Sequence, residues 1–238
     1  MNNSIFIISF YNSRTPKLLE GLINDLIHFN QTIAVIANID DFNKVEMEKH
    51  NDIYFLKRPN IGMNIGAWNE GWKFFNDFEN YFFFQDECFV KDKNFYEVYL
   101  DLLSNNTHGI IGESINPKWC KSWDEIKKLP LNYKITNNDN QINRVDFYLK
   151  KMHEWGIECG TSGKHLRALN WALSQNTLAK IKGFPLGQNK EECIASEISV
   201  SRNIEAKKLE VFQASSSHFK YIGHQEWGPD GISKKLGS

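Results

Sequence analysis

The chain reads as an α/β protein with a mostly parallel central sheet flanked by helices. Three observations predict this. Short apolar runs alternate with stretches of helical periodicity through the first 112 residues, the order that builds a parallel sheet. The runs are only four to six residues long and rich in β-branched and aromatic residues, as buried strands are. They end in polar clusters, Tyr11-Asn12, Asn38–Asp41 and Gln85–Glu87. Parallel sheets bind ligands beyond the carboxyl ends of their strands, so this architecture would bring the three clusters to one edge.

The elements follow in order. Ile5–Phe10 is a continuous apolar run and predicts the first strand. Thr15-Pro16 looks like an N-cap followed by proline at the first helical position. Leu18, Leu19, Leu22, Ile23, Leu26 and Ile27 then form one helical stripe. Thr32–Ala37 and Ile53–Leu56 predict two more strands, and Asn64–Phe78 a helix with Trp68, Trp72 and Phe75 toward the sheet. Tyr81–Phe84 predicts a central strand, Phe95–Leu103 a helix and Gly109–Gly112 a short strand. The stretch from Glu113 to Asn140 is polar and weakly periodic, which predicts a long loop with at most one helical turn. Val145–Trp155 predicts a helix, Leu178 and Ile181 mark a short one before Gly183-Phe184-Pro185, and Glu191–Asn203 predicts another with Cys193, Ile194, Ile198 and Ser201 inward. Leu209–Phe212 predicts a late strand. No repeat, low-complexity block or linker interrupts the chain, so the expectation is one domain over residues 1–238.

Composition narrows the function classes. A chain of 238 residues, 41% of them hydrophobic, can bury a sizeable core. A net charge of -1 gives no global electrostatic case for binding nucleic acid. Cys88, Cys120, Cys159 and Cys193 lie more than 30 residues apart with no C-x-x-C pair, which argues against a zinc site and for reduced thiols. The N-terminal apolar run is too short for a signal peptide, and no stretch approaches 18 apolar residues. These features together predict a cytoplasmic protein without a transmembrane segment. The 17 Phe and seven Trp fill a core, and some of these rings would suit a sugar- or base-binding cleft.

The chemistry concentrates in Arg58–Val90: a Gly/Asn-rich turn, an aromatic helix, and an apolar strand that stops in Gln85-Asp86-Glu87. Carboxylates at the exposed end of a buried strand suit a divalent cation, and such a cation stabilises the charge building on a phosphate leaving group. The plainer alternative is an acidic turn that ends a strand. Asn60, Gly62, Gly66 and Asn69 allow close backbone approach to a ligand, or simply a tight turn onto the helix. Neither a dinucleotide fingerprint nor a Walker lysine motif is present.

In this order the segments resemble family-2-type glycosyltransferases with the GT-A fold. IISFYNSRTPKLLEGLINDL resembles their opening strand and helix, and NIGMNIGAWNEGW their N-x-G…N-x-G segment. FFFQDECFV stands in the place of their acidic strand end. KIKGFP resembles a Gly-Gly-Phe turn, and the Glu-bearing helix ending in Arg202 resembles their catalytic-base region. The resemblance runs over roughly residues 4 to 218 and departs at the acidic motif, where Gln85 and Glu87 stand for the usual aspartates.

That resemblance implies a set of roles. Asp86 and Glu87 would hold Mn²⁺ or Mg²⁺, completed by His218 or by its competitor His224 in YIGHQEW. Tyr11, Asn12, Asp40, Asp41, Arg58, Asn60, Gly62, Asn69 and Asp86 would contact the donor nucleotide. The base that takes the acceptor's proton would be Glu192, then Glu197 or Glu191, although opening-turn glutamates also suit a helix dipole with no catalysis implied. If none is a base, the transfer would be retaining. Gly160–Gly163 opens a second polar segment, whose Lys164, His165 and Arg167 would be solvated by default or would meet an anionic acceptor.

The function this implies is transfer of a sugar from a nucleotide-sugar donor to a hydroxyl of a glycan or lipid-linked glycan, in bacterial-type surface polysaccharide synthesis. Residues 1–112 would form the nucleotide part and 113–238 the acceptor and catalytic part. A peripheral position at the inner membrane face belongs to the same family habit. One rival is a sugar nucleotidyltransferase, which normally carries a Gly-rich loop after the first strand, and SFYNSRTPK lacks one. The other is a non-catalytic nucleotide- or carbohydrate-binding module with a decayed site. The oligomeric state is not legible in the sequence.

Overall fold

The computed structural model describes residues 3–129, 134–137 and 140–234. Twelve strands lie among the described residues. The first six are β1 (Ser4–Tyr11), β2 (Thr32–Ile39), β3 (Glu46–His50), β4 (Ile53–Pro59), β5 (Asn80–Gln85) and β6 (Cys88–Val90). The others are β7 (His108–Gly112), β8 (Lys134–Asn137), β9 (Asn140–Asn143), β10 (Asn170–Ser174), β11 (Glu210–Gln213) and β12 (Ile222–His224). The α-helices are α1 (Lys17–Leu26), α2 (Met63–Phe74), α3 (Phe95–Ser104), α4 (Trp123–Lys127), α5 (Arg144–Glu154), α6 (Gln175–Ile181) and α7 (Lys190–Ala206).

Eight strands form one sheet in the order β11-β7-β10-β5-β1-β2-β4-β3. β5, β1, β2 and β4 run parallel, and β11 runs parallel to β7. β10 is antiparallel between β5 and β7, and β3 is antiparallel at the edge. The sheet is therefore mixed but mostly parallel. Alternate residues of β1 serve opposite faces, as strand geometry requires. Ile5 and Ile7 pack with Trp68, Phe83, Trp171 and Phe184, whereas Phe6 and Ile8 pack with Leu22, Phe82, Phe95 and Tyr99. A third cluster around Trp123, Tyr148, Met152 and Ile198 joins α4, α5 and α7 beside the sheet.

Several expectations need correction. Two strands of the eight-stranded sheet, β3 and β10, escaped the sequence reading, as did the short β6, β8, β9 and β12 outside it. β3 is a charged edge strand, EMEKH, whose polar sequence protects the sheet edge and hides the strand from an apolar-run criterion. β10, NWALS, is a central strand only five residues long with no turn residues before it. Helix α1 starts from Pro16 with no side-chain cap, so Thr15 does not cap it. Leu18 and Ile27 are exposed, and Leu19, Leu22 and Leu26 carry the burial. Helix α2 stops at Phe74, leaving Trp72 and Phe75 only partly buried. The Glu113–Asn140 stretch holds a 3₁₀ turn at Pro117–Trp119, helix α4 with a Ser122/Glu125 capping box, and the start of the β8–β9 hairpin. Residues 130–133 and 138–139 of that stretch, like residues 235–238, lie outside the described residues. In α7 the fully buried face is Ala195, Ile198, Ser199, Val200, Ser201 and Ile204, while Cys193 and Ile194 are only partly covered.

Candidate functional site

The parallel strands end together, as the register requires: Tyr11 pairs with Asn38, Asn38 with Arg58, and Ser9 with Gln85. The Tyr11 hydroxyl donates to Asp40, and Asn60 Nδ2 donates to the other Asp40 oxygen at 2.9 Å. These two bonds hold the Asp40 carboxyl below its ordinary range, and Asp40 holds the Tyr11 hydroxyl above its own. Asn12 N donates to Asn38 O at 3.1 Å, and Asp41 takes a left-handed φ of 57° that turns the chain away. Tyr11, Asp40 and Asn60 thus form an exposed polar platform beyond β1, β2 and β4.

The glycine turn is built on Arg58. Its guanidinium is buried and donates to Asn38 Oδ1 at 2.6 Å and to Ile61 O at 2.8 Å, while Asn38 Nδ2 donates to Met63 O at 3.2 Å. Arg58 therefore ties strand β4 to the turn that starts α2. Gly62 has φ 78°, and a Cβ on Gly66 would collide with the Ile61 carbonyl oxygen, so both positions require glycine. Asn69 is buried on α2, where its Oδ1 accepts from Phe184 N at 2.9 Å and fixes the Gly183-Phe184 turn. Arg58 and Asn69 shape the edge from inside rather than face it.

At the end of β5, Asp86 and Glu87 share one cation. Arg14 Nη1 lies 3.2 Å from Asp86 Oδ1 and 2.7 Å from Glu87 Oε2. Burial pushes the Asp86 carboxyl up to about 6, against the pull of Arg14. His224 comes from the far end of the chain because β12 pairs with β6. Its Nδ1 accepts from Glu226 N at 3.1 Å, so the neutral ring carries its proton on Nε2, which donates to Gln85 Oε1 at 3.2 Å. The same Nε2 lies 4.0 Å from Glu87 Oε2. His218 stands elsewhere, packed against Gly231, with burial and Arg167 lowering its pKa. Among the described residues no three His, Cys, Asp or Glu side chains are gathered closely enough to hold a metal by themselves.

Beside this acidic edge opens a pocket of about 330 Å³. Gln85 is the joint between the two: its Nε2 donates to Ala168 O at 2.5 Å, and Ala168 N donates to Glu197 Oε1 at 2.9 Å. Glu197 lines the pocket, and burial raises its carboxyl above the ordinary range despite the Ala168 amide and Arg167. His165 is 3% exposed, and its Nε2 lies 3.8 Å from Glu197 Oε1. Burial pushes its pKa down to about 4, so the imidazole is neutral at pH 7, with Nδ1 directed to Gly163 O at 2.7 Å. Arg167 lies 3.8 Å over the Trp227 ring and donates to Asn116 Oδ1 at 3.3 Å and Gly231 O at 2.9 Å. Trp119, Tyr148 and Trp227 add aromatic wall.

The three base candidates separate clearly. Glu192 accepts from Gln188 N at 2.8 Å and pairs with Lys151 at 2.9 Å. Glu191 faces Tyr148 and Arg144 at 3.2 and 3.6 Å. Of the three, only Glu197 lines the pocket. Arg202, buried, donates to Lys164 O and pairs with Glu205 at 2.7 Å, so it anchors the 164–169 segment. His165 and Arg167 are buried, contrary to the solvated default. Sequence reasoning missed Arg14, Asn116, Trp119, Arg144, Tyr148 and Lys190. Of these, only Arg14 had a local signal, a cation three residues past a strand-end tyrosine.

No protein-family model and no curated protein sequence matches the chain. Solved structures do. The mannosyltransferase from Pyrobaculum calidifontis in complex with GDP-Man and Mn²⁺ superposes with a TM-score of 0.52 at 10% identity, over 88% of this chain. This chain spans 55% of that protein's length. The catalytic domain of Drosophila β1,4-galactosyltransferase 7 in complex with xylobiose gives 0.44 at 11% identity, covering 94% and 71% of the two chains. A candidate glucose-1-phosphate thymidylyltransferase from Bacillus anthracis in complex with sucrose gives 0.41 at 10% identity, covering 89% and 85%. The likeness is one of fold, and the chain has the α/β fold of GT-A glycosyltransferases: a mixed, mostly parallel sheet flanked by helices.

Proposed function

We propose that this protein is a glycosyltransferase that moves a sugar from a nucleotide donor to a hydroxyl of a glycan or lipid-linked glycan. The observation that carries the reading is Glu197, a pocket-lining carboxylate with a raised pKa, coupled through Ala168 to the end of the acidic strand. A base poised above the ordinary carboxylate range accepts a hydroxyl proton more readily near neutral pH. Residues 1–112 form the donor part of this scheme and residues 113–238 the acceptor part, within one domain. The Pyrobaculum mannosyltransferase of like fold, in complex with GDP-Man and Mn²⁺, supports a nucleotide-sugar donor.

Tyr11, Asp40 and Asn60 offer hydrogen bonds to the nucleoside, and Gly62 lets the backbone approach a ligand closely. Asp86 and Glu87 fit a divalent cation. Both are hard oxygen donors that already hold a positive group, Arg14, between them, and Mg²⁺-type sites commonly use one or two carboxylates with phosphates and water. When bound, such a cation would neutralise the departing diphosphate. His224 serves this site by orienting Gln85. Glu197 takes the proton of the attacking hydroxyl, the Ala168 amide holds its Oε1, and Trp119, Tyr148 and Trp227 exclude water from the pocket.

The test is donor hydrolysis and transfer across a nucleotide-sugar panel, with Mn²⁺ and with EDTA. Turnover that disappears in Glu197→Gln supports the reading. Nucleotide binding without turnover would make the chain a binding module, and neither binding nor turnover would sink the proposal.

A further inference from the structure

The two sides of Gln85 carry opposite charge. The strand-end side sets Asp86 and Glu87 around Arg14 and Asp40 against Tyr11 and Asn60, with the Arg58 guanidinium turned inward to Asn38 and Ile61. The pocket is lined by Arg144, Arg167 and Lys190 against one carboxylate, Glu197, with His165 neutral. Arg167 is 9% exposed, yet its Nε has no hydrogen-bond partner among the described residues, and neither does the buried Nε of Arg144. Arg144 lies 3.6 Å from Glu191, a loose pair, and Lys190 enters no ion pair among the described residues. A buried guanidinium donor left without a hydrogen bond is costly, and an anionic oxygen is the acceptor that relieves it best.

We infer that the pocket binds an acceptor bearing a carboxylate or phosphate group. This rests on the glycosyl-transfer reading and names its substrate class. Tyr11, Asp40, Asp86 and Glu87 do not line the pocket, and only Gln85 and the Gly62 turn reach it from the donor side, which favours the acceptor over the donor's diphosphate as the source of the anion. The aromatic wall suits the apolar face of a sugar ring, and a guanidinium fork suits a planar carboxylate or a phosphate. Glu197 on the same wall places its base beside the ring so held.

Two probes that differ in one group test this: methyl β-glucuronide and methyl β-glucoside. Titration of the full chain, followed by the fluorescence of the pocket tryptophans, should show about ten-fold tighter binding of the glucuronide. Lys190→Ala and Arg144→Gln should each reduce that preference, and Lys190→Glu should abolish it. Equal binding of both glycosides, or of neither, would overturn the inference. So would a Lys190→Ala defect that falls on UDP or GDP, which would place the anion on the donor. Loss of donor hydrolysis with the glucuronide preference intact would count against the transferase reading and leave the acidic-ligand site standing.

Discussion

The edge on either side of Gln85 was assembled in two different ways. On the strand side, Tyr11, Asp40, Asn60, Asp86 and Glu87 arrive because parallel strands in register end together, and each sits within a few residues of an apolar run. On the pocket side, Asn116, Tyr148, Arg167, Glu197 and Trp227 come from five separate segments brought together by β10, α5, α7 and the chain after β12. The first arrangement follows from local sequence. The second exists only after tertiary packing, and it places the basic charge where composition shows none.

The comparison can be broken at four points. The largest effect is expected at Glu197: Glu197→Gln should lower transfer by about 10²- to 10⁴-fold, the usual range for a general base, while nucleotide binding persists. Steady-state kinetics with a nucleotide titration checks this, and comparable losses in Glu192→Gln would shift the base to the Lys151-paired residue. The same raised carboxyl predicts that the acid limb of the pH–rate profile lies above the ordinary glutamate range.

Next comes His165. Its folded pKa of about 4 lies below the ordinary 6.5, so the unfolded chain binds more protons in that interval. Stability from this group is full above 6.5 and is lost as pH falls toward 4, by up to about 3 kcal/mol. Thermal unfolding between pH 7 and 4 should show this slope, and His165→Gln should flatten it. A slope unchanged in the variant would mean that the pocket's neutral histidine is not its source.

On the strand side, Glu113 holds the C-terminal segment to the sheet: it accepts from Tyr99 Oη at 2.7 Å and from Tyr221 N at 3.1 Å. Glu113→Ala leaves buried donors unpaired and should cost about 2 kcal/mol in denaturant unfolding. The smallest effect is expected for Glu87→Ala, about ten-fold weaker nucleotide binding in Mn²⁺ by calorimetry, with the difference vanishing in EDTA. Equal affinity in Mn²⁺ would remove the cation from this residue.

The legibility of the molecule follows the same division. The parallel strands and helices α1, α2, α3, α5 and α7 were visible because apolar period and length suffice for them. Strands β3 and β10 were not, one being polar and the other unmarked by turns. The carboxylates after β5 stood out beside four apolar aromatics, whereas their partner Arg14 lies 72 residues away from Asp86 and was marked only by its place just past a strand-end tyrosine. Choosing between Glu192 and Glu197 needed the orientation of α7. Five residues apart on a helix, they point roughly 140° from each other, one toward Lys151 and the other into the pocket.

The pairing of β12 with β6 sets a timetable. A ribosome completes every strand of the eight-stranded sheet by Gln213, before it has made His224, which orients Gln85, or Trp227, which stacks on Arg167. The sequence of the sheet is thus complete eleven residues before His224 of the site. The edge is complete only when β12 has paired with β6 and brought His224 to Gln85.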